Sequence, residues 1–353
     1  MRENTNKEFS PKCAATGIGS LPFIEPNQAV QDVFNFVGEL PFWPQLPKRG
    51  IKEGMLFQFI GNLNFLTTDN QSISVRKDWD RQLEIFFERV IKKDLDYFAI
   101  GNEYAAGLIE FLNYLKNNAF TFKGRYLKGQ VTGPFTLGSA IKALDGNSLL
   151  FDVQLLDALV CGLALKARWQ VREFKKLSKD AIIFIDEPYL ACFGSGFTPI
   201  NRDDVVGVIN KLIEQIEEPD CLIGLHCCSN TDWALLLETD IDIISFDAFS
   251  YFERFSLYPK ELKRFLARGG AIAWGIIPTT EFNDKVTLTQ IVDKFKKGLN
   301  ILINKGLDKE EIIKKSLITP SCGMGSLGVD IAKGVLNLLK DTSDCLKKEF
   351  SLL

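Results

Sequence analysis

Apolar residues along this chain fall into two alternating kinds of run. Short blocks rich in Ile, Val, Phe and Ala predict buried strands, and longer stretches with apolar positions at helical spacing predict amphipathic helices. Glu25 and Pro26 open a first helix whose face is Val30, Val33, Phe34 and Val37. Trp79, Leu83, Phe86, Phe87, Val90 and Ile91 mark one side of a second. Between them, 40–47 carries three prolines in eight residues. That density admits neither a helix nor a central strand, and predicts a shaped loop.

From residue 96 onwards the alternation is regular. Strands are predicted over 96–101, 125–133, 181–186, 222–228, 242–247, 270–277 and 316–321. Helices follow them over 105–115, 149–177, 203–213, 231–237, 259–266, 289–302 and 329–339. With a first strand over 14–22, this makes eight strand–helix units. Strands separated by helices pair in parallel through crossovers. Eight units in 353 residues predict a single (β/α)8 TIM barrel, α/β in class, with an elaborated first connection. No linker or low-complexity tract divides the chain, so 1–353 reads as one domain with 1–12 a flexible N-terminal segment. An open doubly wound sheet is the alternative, but the first turn lacks its G-x-G-x-x-G fingerprint.

Composition narrows the setting. Hydrophobic residues make up 46% and the net charge is −3, with no basic stripe for nucleic acid and no polybasic segment for an anionic membrane. The polar N-terminus has no apolar core of a signal peptide, and no apolar run has the length of a membrane span. Eight dispersed cysteines, several within apolar strands, suit a reducing compartment better than a disulfide framework. The expectation is a cytoplasmic protein with neither nucleic-acid nor membrane partners.

In a TIM barrel the chemistry sits at the C-terminal ends of the strands. Those ends carry Gly19 and Ser20, Asn102 and Glu103, Thr132 and Gly133, Asp186 and Glu187, His226 and Cys228, Asp247, Pro278 and Cys322. His226 is the only histidine. In a period-2 strand His226 and Cys228 share one side and Cys227 faces the other. An imidazole and a thiolate on one side are half of a zinc site; a buried histidine beside two small apolar cysteines is the alternative. Cys322, in a glycine-rich turn after the last strand, completes a His/Cys/Cys set. Three protein ligands with an open position are the pattern of catalytic zinc. Asp247 is either a weak oxygen ligand in that position or a helix N-cap beside it. Asp186 and Glu187 are the candidate catalytic carboxylates; they face opposite ways, so one aims directly into the mouth, as acid/base or as partner of a substrate amine. Caps and salt bridges are the other use for them. Gly17, Gly19 and Ser20 form a close-approach loop whose backbone could hold a carboxylate.

In this order and spacing, Ile18-Gly19-Ser20, 101–103, Ile185-Asp186-Glu187-Pro188, His226-x-Cys228 and Ser321-Cys322-Gly323 resemble the catalytic barrel of cobalamin-independent methionine synthase. Its wider superfamily includes uroporphyrinogen decarboxylase and coenzyme M methyltransferases, and the chain is most similar to the short, single-barrel forms. The resemblance implies Zn2+ held by His226, Cys228 and Cys322, with Asp247 standing where the family has a glutamate as fourth ligand. It implies that Ile18, Gly19, Ser20, Glu103 and Asp186 bind the amino-acid part of a homocysteine-like thiol, which is methylated on sulfur. The folate-dependent enzyme has a second, N-terminal barrel that this sequence lacks. A methylated corrinoid protein docking over the rim is therefore the expected donor, with methyl-folate as the other candidate. Phe23 also stands where relatives often carry a histidine. The alternatives are a metal-free enzyme resembling uroporphyrinogen decarboxylase, a non-catalytic zinc- or corrinoid-binding accessory protein, and a zinc enzyme using metal-bound water with Glu187 as base. The first would need a basic mouth, and few Arg or Lys fall at strand ends.

Overall fold

The computed structural model describes residues 9–69, 71–118, 122–177, 179–194, 200–216 and 218–352. Residues 1–8 of the segment expected to be flexible lie outside the described residues. Phe9 is buried, its ring edge-on to Tyr126 at 5.2 Å between centroids.

Ten strands occur in the described residues: β1 (Ala14–Ala15), β2 (Leu66–Thr68), β3 (Ile73–Val75), β4 (Tyr126–Thr132), β5 (Ile141–Lys142), β6 (Asp180–Asp186), β7 (Cys221–Cys227), β8 (Ile243–Phe246), β9 (Ala271–Ile277) and β10 (Ser316–Pro320). Seven form one sheet in the order β1-β10-β9-β8-β7-β6-β4, with every neighbouring pair parallel. Helices connect consecutive strands of this sheet, which curls into a TIM-barrel-like α/β fold. The other three strands make a small separate sheet, two from the first connection and one from the segment between β4 and β6.

The strands read as nearly unbroken apolar runs because both faces are covered. On β6, Ile182 and Phe184 join a cluster with Leu222, Ile243, Ala273 and Leu317 inside the curl, while Ile183 and Ile185 pack outward among the helices. The long helix Val153–Lys175 lies against β4 and β6, as its almost wholly apolar middle requires. Asp152 caps it by accepting from Leu155 N at 3.0 Å.

Two expectations change here. Residues 96–101, read as the second strand, are turns and irregular backbone, and no strand forms there. Its place beside β4 is taken by the proline-rich segment. Trp43 N donates to Lys128 O at 3.2 Å and Lys128 N to Pro41 O at 2.9 Å; on the other side Gln45 N donates to Gly19 O at 3.0 Å and Leu21 N to Gln45 O at 2.8 Å. The two amides that donate, Trp43 and Gln45, are not prolines. A segment with prolines at 41, 44 and 47 can therefore sit between two neighbours, bonded to each through one short parallel bridge.

No helix among the described residues is long and apolar enough to cross a membrane.

Candidate functional site

Strand register assembles the site's floor. Thr132, Asp186, His226 and Ser245 are successive Cα partners across β4, β6, β7 and β8. Being in phase, they belong to the same face of the sheet. His226 is buried, and its Nδ1 lies 2.9 Å from Ser245 Oγ. Its Nε2 is buried with no hydrogen-bond partner, and so is Asp186 Oδ1. An orphaned ring nitrogen in the interior is a costly feature unless a ligand takes it.

Beside the imidazole are two thiols. Ligand atoms of His226, Cys228 and Cys322 all lie within 4.8 Å of one another. A tetrahedral ion with bonds of ~2.1–2.3 Å wants its donors roughly 3.5–4 Å apart, so small side-chain adjustments suffice. Cys228 follows β7 directly and Cys322 follows β10 by two residues. The turn after Cys322 is fixed against the first strand's loop: Met324 N donates to Ser20 O at 2.9 Å and Gly325 N to Ser20 Oγ at 3.2 Å. Gly323 suits this crossing, because a Cβ there would displace the Ser20 hydroxyl from its present position. Hydrogen bonding from Cys322 pulls Cys228 down from the usual thiol range, with His226 adding to the effect, and the same bond pushes Cys322 up.

The cluster lines a cavity of about 510 Å³. Ile18 and Ser20 form one side, Asp186 and Pro188 another, Gly323, Gly325 and Ser326 a third, and Gln45, Pro47, Lys48, Glu53 and Met55 the remaining wall. Burial pushes Asp186 up and Lys128, beneath it in the interior, down; each charge opposes the other's shift. Lys128 Nζ donates to Ile18 O at 2.6 Å.

Three expected site residues stand elsewhere. Glu187 is buried and not part of the cavity wall; it faces the start of the helix Pro134–Ala140. Its carboxyl accepts from Phe135 N at 2.8 Å, Thr136 N at 2.8 Å and Thr136 Oγ1 at 2.7 Å. Burial pushes it up to about 7 against those bonds. It terminates a helix, and a base aimed at the mouth is not what the geometry offers. Glu103 is exposed and paired with Lys52 at 2.5 Å, outside the cavity. Asp247 caps the helix Ala248–Phe255 through Ser250 N at 2.8 Å and is not one of the three clustered ligands. Of its two readings, the cap is the one observed.

The glutamate that does face the cavity is Glu53, which sequence reasoning missed. It is buried, bonded through Oε1 to Arg49 at 2.5 Å, and its Oε2 has no partner. Burial raises it, opposed by Arg49. The signal that finds it is the proline-rich segment: taken as a barrel position, 41–46 makes Glu53 a residue just beyond a strand end. Phe42, Trp43 and Trp274 are buried in the core.

No protein-family model matches the chain, and neither does any curated protein. Among solved structures it is similar to a B12-independent methionine synthase from a Shewanella species in complex with selenomethionine. That match has 20% sequence identity and a TM-score of 0.49, and covers 70% of this chain and 68% of the other. It is also similar to a tryptophan synthase from M. tuberculosis, at 12% identity and a TM-score of 0.23, over 68% of this chain and 87% of the other. At these values neither likeness carries an inference about function.

Proposed function

We propose that the chain is a zinc-dependent methyltransferase that moves a methyl group onto the sulfur of a homocysteine-like thiol. The observation that supports this most is the approach of His226, Cys228 and Cys322 to within 4.8 Å on the wall of a substrate-sized cavity. The residues fit zinc by three criteria: a His/Cys/Cys donor set, an orphaned His226 Nε2, and a ring orientation held from behind by Ser245. When bound, zinc supplies a soft Lewis acid that lowers a thiol's pKa while leaving its sulfur nucleophilic.

The chain's own residues do the rest. The 18–20 loop takes the acceptor's carboxylate, and Asp186 and Glu53 offer unpartnered carboxylate oxygens to its ammonium group. Glu53 replaces Glu103 in this role. Fixing both ends of the amino acid leaves its thiol with one direction, toward the metal ligands, which is how binding becomes orientation. The sulfur–carbon bond then forms as the donor's bond to the methyl carbon breaks, and the donor leaves with the electron pair. A methylated corrinoid protein and methyl-folate both satisfy that balance.

A zinc enzyme using metal-bound water is the second reading, with Glu187 as the base first considered for it. That carboxylate is spent on Phe135 and Thr136. Zinc-loaded protein incubated with homocysteine and either methylcobalamin or methyl-tetrahydrofolate is expected to form methionine, read by mass spectrometry. Product from neither donor, with no thiol binding, contradicts the proposal.

A further inference from the structure

Lys128 is a lysine inside the curl of the sheet, fully buried on β4. A buried ammonium is costly unless its donors are used. One goes to Ile18 O at 2.6 Å and another to Gln130 Oε1 at 3.3 Å, and the charge stands 4.3 Å from the centre of the Phe184 ring. The strongest of these contacts is therefore made to the backbone of a cavity-wall loop. In a trans peptide the C=O and the following N–H point in opposite directions. Holding the Ile18 carbonyl toward the interior turns the Gly19 N–H away from it. The neighbouring peptide is fixed as well, since Gly19 O accepts from Gln45 N at 3.0 Å and Ser20 is tied to Met324 and Gly325. A Cβ at Gly19 would press on the side-chain amides of Gln45 and Gln130, which would have to shift. The loop is thus held in one orientation, with the Lys128 amine directly behind it.

We propose that Lys128 is a positioning residue that presets the 18–20 loop as a carboxylate receptor and so selects thiols that carry a carboxylate over those that do not. This rests on the thiol methyltransferase reading above. A purely structural lysine would affect every thiol alike, so the readout is a ratio. Calorimetry on zinc-loaded protein compares homocysteine with 3-aminopropane-1-thiol, the same molecule without its carboxylate. Wild-type protein is expected to favour homocysteine by about 10- to 100-fold, the range for hydrogen bonds to a charged group. Lys128→Met, with zinc content unchanged, is expected to bring the ratio to within about threefold of unity by weakening homocysteine alone. A wild-type ratio near one overturns the inference without any variant, and so does a ratio that survives in Lys128→Met. Wild-type protein that binds neither thiol overturns the methyltransferase reading and this inference with it.

Discussion

Replacing Ser245 by alanine tests whether His226 is a metal ligand. The Ser245 hydroxyl lies 2.9 Å from His226 Nδ1 in the interior, and Nε2 has no protein partner. A metal on Nε2 forces the ring proton onto Nδ1, where Ser245 is its acceptor. Without the hydroxyl, the metal-bound form keeps a buried N–H with nothing to donate to, which costs about 1–3 kcal/mol. The metal-free ring escapes part of that by moving its proton to Nε2, beside the Cys228 sulfur. The penalty therefore falls on the bound state, and zinc affinity is expected to drop about 10- to 100-fold. At ~1.4 kcal/mol per factor of ten this is about 1.4–2.8 kcal/mol, inside the range set by the orphaned donor. Competition against a chromogenic chelator measures the affinity. Urea unfolding of the metal-free proteins, expected to agree within about 1 kcal/mol, separates the effect from general destabilisation. Ser245→Thr, which keeps a hydroxyl, is expected to retain most of the affinity. A Ser245→Ala protein that binds zinc within about threefold of wild type would refute the reasoning.

Three further outcomes follow from the site and its surroundings. Glu53→Gln is expected to weaken homocysteine binding about tenfold or more by removing an acceptor for its ammonium, while Glu103→Gln leaves it unchanged; calorimetry showing the reverse restores the sequence assignment. Glu187→Ala strands two backbone N–H groups at the start of Pro134–Ala140 and is expected to cost roughly 2–4 kcal/mol in urea unfolding, yet leave zinc per folded molecule at wild-type level. Lys166, buried on the helix Val153–Lys175, is pushed down to about 7 by burial, so between pH 7 and the unfolded value of 10.5 the unfolded chain binds the extra proton. Stability then rises with pH across that window, by at most about 1.4 kcal/mol per unit, and Lys166→Met should flatten the slope in pH-dependent unfolding.

Much of the architecture was legible because it rests on periodicity. The β6 to β10 runs are apolar on both faces and end in polar residues, which located His226, Cys228, Asp186 and Cys322 at one rim from spacing alone. The misplacements have local causes. Residues 96–101 contain a strand-like apolar alternation, but tertiary context leaves them in turns while 41–46 bonds to the neighbours on either side. Proline count hid that segment, since what matters is which amides must donate, and Trp43 and Gln45 are the ones that do. Overlooking it left Glu53, a cavity-wall residue, out of the candidates. Glu187 and Asp247 each had two readings in the sequence: a carboxylate at a strand end serves a following helix N-terminus as readily as it serves a ligand, and only the turn geometry decides.

The most direct measurement is the zinc content of anaerobically purified protein, wild type beside Cys228→Ser and Cys322→Ser, followed by X-ray absorption at the zinc edge with and without homocysteine. Near-stoichiometric zinc in the wild type, lost in both variants, with one more sulfur in the metal shell after homocysteine is added, is the expected result. Wild-type protein that holds no zinc even after reconstitution, or a metal shell that homocysteine leaves unchanged, would contradict thiol activation at this site.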